Sequence, residues 1–197
     1  MRKVLLCTVL FVFCGVYAVA QDFHKGELSA GWNYLHFDSK FTGGISESST
    51  DGFYIDGTYY FLHYVGLTAR YEYNKKTFPS GTFTGPGGPT VDAGTHTVVF
   101  GPRLKVRLGR VEPFGHGLFG FTRLGVTPKG FGEQSDTAFA MKFGGGADVG
   151  ASKHIGIRIF EFNYLMTRFN NASNIDPFLR GVGTQNNFTI SAGIVLH

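Results

Sequence analysis

Along residues 137–169, apolar and polar positions alternate with a period of two. Met141, Phe143, Gly145, Ala147 and Val149 share one side, and Lys142, Gly144, Gly146 and Asp148 the other. After the short polar link 151–154, Ile155, Ile157 and Ile159 repeat the pattern against Gly156 and Arg158. Alternation of this length predicts two strands, and the short link predicts an antiparallel hairpin. Strict alternation past Arg158 would send Glu161 to the uncharged side. A β-bulge near Phe160 is therefore expected, returning Glu161 to the charged side.

The same pattern recurs along the chain. A first strand is expected over 25–37, with Leu28, Ala30, Trp32 and Tyr34 opposite Glu27, Ser29, Gly31 and Asn33. A second over 52–62 sets Phe53, Ile55, Gly57, Tyr59 and Phe61 against Asp56 and Thr58. The third begins at Val65 and sets Leu67, Ala69, Tyr71 and Tyr73 against Thr68, Arg70 and Glu72. In the fourth, 95–108, the ladder Arg103, Lys105, Arg107 opposes Val98, Phe100, Leu104, Val106 and Leu108. Pro102 lacks a backbone donor, so a bulge or kink is expected there. The fifth strand, 113–124, places Gly117, Phe119 and Phe121 opposite His116 and Thr122. The eighth, 185–196, places Phe188, Ile190, Ala192, Ile194 and Leu196 opposite Asn187, Thr189 and Ser191. Polar segments 38–51, 75–94, 125–136 and 170–184 read as loops, the second around the glycine–proline run 84–89.

Eight strands joined by alternately long and short connections put the turns near His63, Arg110 and Lys153 at one end, with both termini. The expected fold is all-β: an eight-stranded antiparallel up-and-down transmembrane β-barrel. Strands near ten residues match the roughly 9–11 that cross a bilayer with tilt. A soluble, lipocalin-like ligand-binding barrel would use the same alternation with the uncharged face inward. Three features favour lipid. The uncharged faces carry no Asp, Glu, Lys or Arg, and a midplane Arg or Lys facing lipid costs roughly 2–4 kcal/mol. Trp32, Tyr34, Tyr59, Phe61, Tyr71 and Tyr73 gather toward strand ends, as an aromatic girdle does. The opposite face is small residues and charges, which suits a narrow interior.

Targeting signals point the same way. Met1-Arg2-Lys3, a charge-free apolar run over 4–16 and Ala18-Val19-Ala20 have the three parts of a secretory signal peptide. Cleavage after Ala20 would leave residues 21–197 as one outer-membrane β-barrel domain. Cys7 and Cys14 would leave with the signal, so the mature domain must be stable without disulfides. Arg2 and Lys3 leave too, taking the net charge from +4 to +2. That near-neutral balance gives no case for nucleic acid. The 29 glycines, 21 phenylalanines and 9 tyrosines are those of a β-rich chain rather than a helical one.

The chain resembles the OmpA-like family of small outer-membrane β-barrels. The resemblance rests on Gly144-Gly145-Gly146-Ala147-Asp148-Val149, on Lys153-His154-Ile155 with Arg158, and on Tyr164-Leu165. Phe100-Gly101-Pro102-Arg103 and the run 186–194 add to it. It covers the whole mature chain and implies the barrel, the outer-membrane location and a structural or anchoring role, with no chemistry and no cofactor. The partners implied are the lipid bilayer and, during insertion, the barrel-assembly machinery. No second, peptidoglycan-binding domain follows, and the chain stops at His197, where such barrels commonly end in Phe one residue later.

Glu27, Asp56, Arg70, Glu72, Arg103, Lys105, Arg107, Lys142, Asp148, Arg158 and Glu161 are the expected lumen charges. Buried charges must pair, so a salt-bridged plug is the first reading. The basic excess among them makes a small anion-preferring pore the alternative. Other motifs carry less. Gly115–Gly120 matches GxGxxG but lies inside a strand, not between a strand and a helix. The seven histidines show no metal-binding spacing. His116 and Ser135 are the one pair to weigh for a lipid-modifying enzyme, and no motif joins them. The loops could contact an external partner, which their sequences do not name.

Overall fold

The computed structural model describes residues 24–36, 49–78, 91–128, 134–168 and 184–197. Its strands are β1 (Gly26–His36), β2 (Ser49–Tyr60), β3 (Val65–Phe78), β4 (Val91–Lys105), β5 (Val111–Pro128), β6 (Gln134–Gly150), β7 (Ile155–Arg168) and β8 (Thr184–Leu196). Each pairs antiparallel with its sequence neighbour, and β8 pairs with β1 to close the barrel. Closure leaves no sheet edge, so each strand lies between two hydrogen-bonding neighbours, as a spanning structure requires.

Paired residues can be followed round the wall from Leu28 through Gly57, Ala69, Phe100, Phe119, Met141 and Met166 to Asn186. Leu28 itself pairs with Leu196, ten residues further along β8. That offset is the shear of the barrel. Strands in such a barrel tilt by about 35–45°, and a row followed round the wall climbs toward the loop end.

The faces take opposite environments. Leu67, Phe100, Phe121, Ile157 and Ile194 stand exposed on the exterior, while Arg70, Arg158, Lys105 and Glu161 are among the most buried side chains. A lipocalin-like barrel has the reverse distribution, so the soluble reading does not stand. Exterior charges in strands occur only near the loop end, at Asp51, Lys75, Asp92, Arg123 and Arg168. The wall below them is apolar, as the lipid-facing band of a transmembrane barrel must be.

The bulge falls where alternation requires it. Ala147 pairs with Phe160 and Asp148 with Arg158, leaving Ile159 as the extra residue. Across β8 the register shifts between Arg158 and Glu161. Ile159 and Phe160 both point outward and Glu161 is fully buried.

Other expectations need correction. Pro102 causes no bulge: it pairs with Leu67 in an unbroken β3 register. Toward β5 the pairs at Gly101 and Pro102 are lost, yet Phe100↔Phe119 and Arg103↔His116 hold one register on either side. Losing a donor opens the ladder without adding a residue. The fourth strand ends at Lys105 rather than 108, where a turn containing Gly109 at φ 67° begins. That left-handed conformation suits glycine. Pairing also runs further into the expected loops, through Lys75↔Gly94 to Phe78↔Val91 and through Val126↔Gln134. The run 84–89 lies outside the described residues.

Phe160→Arg would place a charge on the apolar exterior. We expect it to lower folding stability in lipid vesicles by about 2–4 kcal/mol in a urea titration. An unchanged midpoint would show that the bulge does not hold residue 160 outward.

Candidate functional site

The lumen brings twelve charged side chains into one connected set, centred on three guanidinium groups. Arg158 on β7 bonds Asp148 at 2.8 Å, Asp56 at 3.0 Å and Glu161 at 2.8 Å. Arg70 on β3 bonds Glu72 and Glu161, each at 2.5 Å, and Asp56 at 3.5 Å. It also donates to Ser191 Oγ on β8 at 3.1 Å. Arg103 reaches Asp56 at 3.3 Å and the Thr58 hydroxyl at 3.1 Å.

Below them, toward the turns, Lys105 bonds Glu27 at 2.7 Å, Asp148 at 2.9 Å and Glu112 at 3.1 Å. Arg107 meets Glu27 at 3.5 Å, and Lys142 pairs with Glu72. Counting Ser191, the network takes members from all eight strands. Desolvating a lone charge costs several kcal/mol, so each of these ions is tolerable only because the others surround it.

Glycines make room for this crowding. Gly144 on β6 pairs with His116 on β5 and Asn163 on β7. With no side chain between them, His116 Nε2 and Asn163 Oδ1 meet across it at 2.7 Å. A Cβ on Gly144 would come 2.2 Å from both Asn163 Oδ1 and the Phe162 carbonyl oxygen. Two inward aromatics then support the arginines. The Arg70 guanidinium lies 4.0 Å from the Tyr54 ring centre, and Arg103 and Arg158 lie 3.9 and 4.5 Å from that of Phe114. Among the described residues Arg103 Nε and Nη2 have no hydrogen-bond partner, and the ring face takes up part of that charge.

The structure places ten of the eleven expected lumen charges in buried positions and Arg107 in a half-buried one. It also adds Glu112, which the expected start of the fifth strand at 113 had left out. Glu112 has the phase of Phe114 and His116, so extending that strand by two residues would have found it. The connected set is then six acids and six bases, with no basic excess. A second correction concerns the loop-end half of the lumen. There Leu35, Val99, Leu118, Leu124, Ala140 and Leu165 form a buried apolar cluster, where small and polar residues were expected. Its signal was present at Val98-Val99-Phe100 and Leu118-Phe119, where both faces read apolar.

On the exterior, Trp32, Phe53, Tyr73 and His96 are consecutive partners in one row. Tyr34 lies two residues nearer the loops and Tyr71 two nearer the turns. Tyr71 is mid-strand rather than terminal, because β3 runs on to Phe78. Tyr59 and Phe61 lie at the turn end, and both are exposed. His116 points into the lumen, whereas Ser135 sits outside and accepts from Arg123 at 3.0 Å. The structure keeps this pair apart. The GxGxxG match lies within β5. Among the described residues, no group of three or more His, Cys, Asp or Glu is placed to hold a metal ion.

A closed antiparallel barrel with an apolar exterior and an ion-filled interior is an integral outer-membrane barrel. The sequence matches the outer membrane protein beta-barrel domain over residues 5–194, and the chain belongs to that family. The fold is similar to Ail, the attachment invasion locus protein of Yersinia pestis, at 14% identity and a TM-score of 0.54, covering 86% of this chain and 97% of that one. It is also similar to Neisserial surface protein A, at 12% identity and a TM-score of 0.58, covering 88% and 97%. At these identities the likeness is one of fold. No curated protein matches the sequence.

Replacing Arg158 by Met would leave Asp148, Asp56 and Glu161 one cation short. We expect a loss of about 3–5 kcal/mol in denaturant titrations of the refolded barrel. A loss below about 1 kcal/mol would mean that the network adds little to the wall.

Proposed function

We propose that this protein is a structural barrel of the outer membrane whose lumen is plugged by its own ion network. The observation that carries the reading is the balanced, connected set of six acids and six bases. The apolar cluster around Leu118 and Leu165 lies on its loop side and adds a second layer for a solute to cross. With positive and negative charge in equal number, the set gives an anion no electrostatic preference over a cation. The anion-preferring pore therefore loses its ground.

In this reading residues 1–20 are a signal removed on export, and residues 21–197 form the mature barrel, inserted by the barrel-assembly machinery. Trp32, Tyr34 and Tyr73 anchor the loop-end interface, and Tyr59 and Phe61 the turn-end one. The loop end faces the outside, where it is free to make surface contacts.

Two measurements test this. In planar bilayers the refolded wild-type protein is expected to give no conductance steps. Regular steps from it would remove the plug. N-terminal sequencing of the protein extracted from outer membranes should begin at Gln21, and a start at Met1 would remove the cleaved signal.

A further inference from the structure

Among the described residues, the exterior carries a polar recess that the structural role leaves unused. Above the row through Tyr73 and His96, Gly94 pairs with Gly125. Two adjacent strands thus lose their outward bulk at the same level. The result is a recess of about 650 Å³ opening sideways on β3, β4 and β5, lined by Tyr73, Lys75, Asp92, His96, Arg123 and Thr127 among others. It lies just above the apolar band, at the level where lipid headgroups begin.

Its charges are held differently from those of the lumen. The buried arginines inside are each matched by carboxylates. Arg123, exposed on the wall, has no carboxylate partner among the described residues, and its one hydrogen bond goes to Ser135 Oγ. Lys75 has Asp92 at 3.8 Å, but Asp92 also accepts from the Thr77 hydroxyl at 2.6 Å. His96 is fixed in place: Nδ1 is 2.9 Å from the Tyr71 hydroxyl and the ring centre is 4.7 Å from that of Tyr73. Directly below, Val98 and Phe121 pair with one another, two residues nearer the turns than His96 and Arg123, and both are exposed.

We propose that this recess binds the phosphate of an anionic outer-leaflet lipid. Arg123 would donate its planar fork to two phosphate oxygens, with Lys75 as a second point charge. The attached acyl chain would lie over Val98 and Phe121. That apolar continuation is why the occupant is a lipid rather than a free anion: the recess opens onto the wall that acyl chains already cover. The inference rests on the reading that the loop end faces outward and the exterior meets lipid.

The test uses the full chain refolded into phosphatidylcholine nanodiscs that carry a minor fraction of diphosphoryl lipid A or of its dephosphorylated form. Lipid retained after mild detergent extraction is counted by mass spectrometry. The wild type is expected to retain the phosphorylated lipid about tenfold over the dephosphorylated one, the factor that about 1.4 kcal/mol provides. The double variant Lys75→Gln/Arg123→Gln should lose that preference. Arg168→Gln, which removes an exposed cation outside the recess, should keep it. Equal retention of both lipids by the wild type would overturn the proposal, as would undiminished preference in the double variant or an equal loss in Arg168→Gln. Complete displacement by excess inorganic phosphate would make the recess a free-anion site and overturn the lipid assignment. Heat-dependent gel mobility checks that each variant is folded, and if the double variant is not, Arg123→Gln alone carries the comparison. Failure of the wild type to enter the nanodisc would instead sink the outer-membrane reading.

Discussion

Everything in this barrel depends on the fact that its interior charges are buried together, away from bulk solvent. Asp56 on β2 and Glu161 on β7 stand on distant strands, and Arg70 and Arg158 bond both. Each guanidinium therefore ties one side of the wall to the other. In a soluble domain, apolar side chains meeting in the middle would do this. Here apolar side chains are needed outside, and the turn-end half of the interior is held by ions. Such a core is less forgiving than a greasy one, because losing any one ion leaves its partners desolvated and unmatched.

Space is the second constraint. An eight-stranded barrel is only wide enough for side chains to fill, and arginines with rings beneath them are bulky. The chain resolves this by placing glycines beside its largest inward residues. Tyr54 on β2 faces Gly31 on β1, and Gly31 pairs with Gly193 on β8; a Cβ on Gly193 would come 2.6 Å from the Tyr54 hydroxyl. Phe114 on β5 pairs with Gly146 on β6 in the same way. The glycine run of β6 is thus a packing device for the network.

Much of this was legible in the one-dimensional pattern. Alternation with period two assigns each residue to a face with little reference to the rest of the chain. The phases of seven strands follow from it, the fifth being blurred where both faces read apolar at Leu118-Phe119, and so does the bulge: a glutamate cannot face lipid, so the chain had to break phase before Glu161. Strand ends were less legible. Phe78 and Val91 are paired although the sequence around them reads as loop, because the neighbouring strand supplies the pairing. Pro102 was misread because a missing donor and an extra residue look alike in sequence, yet only the second changes register.

The sequence by itself determined which side chains share a face, because the pleat of a strand is a local property. Only the tertiary structure decided which of them meet. Closure with a shear of ten brings Arg158 to Asp56, 102 residues away, and Arg70 to Ser191, 121 residues away. It also gathered Leu35, Val99, Leu118 and Leu165 into one cluster. These contacts depend on the offset between strands, and that offset is fixed only when the last strand finds the first.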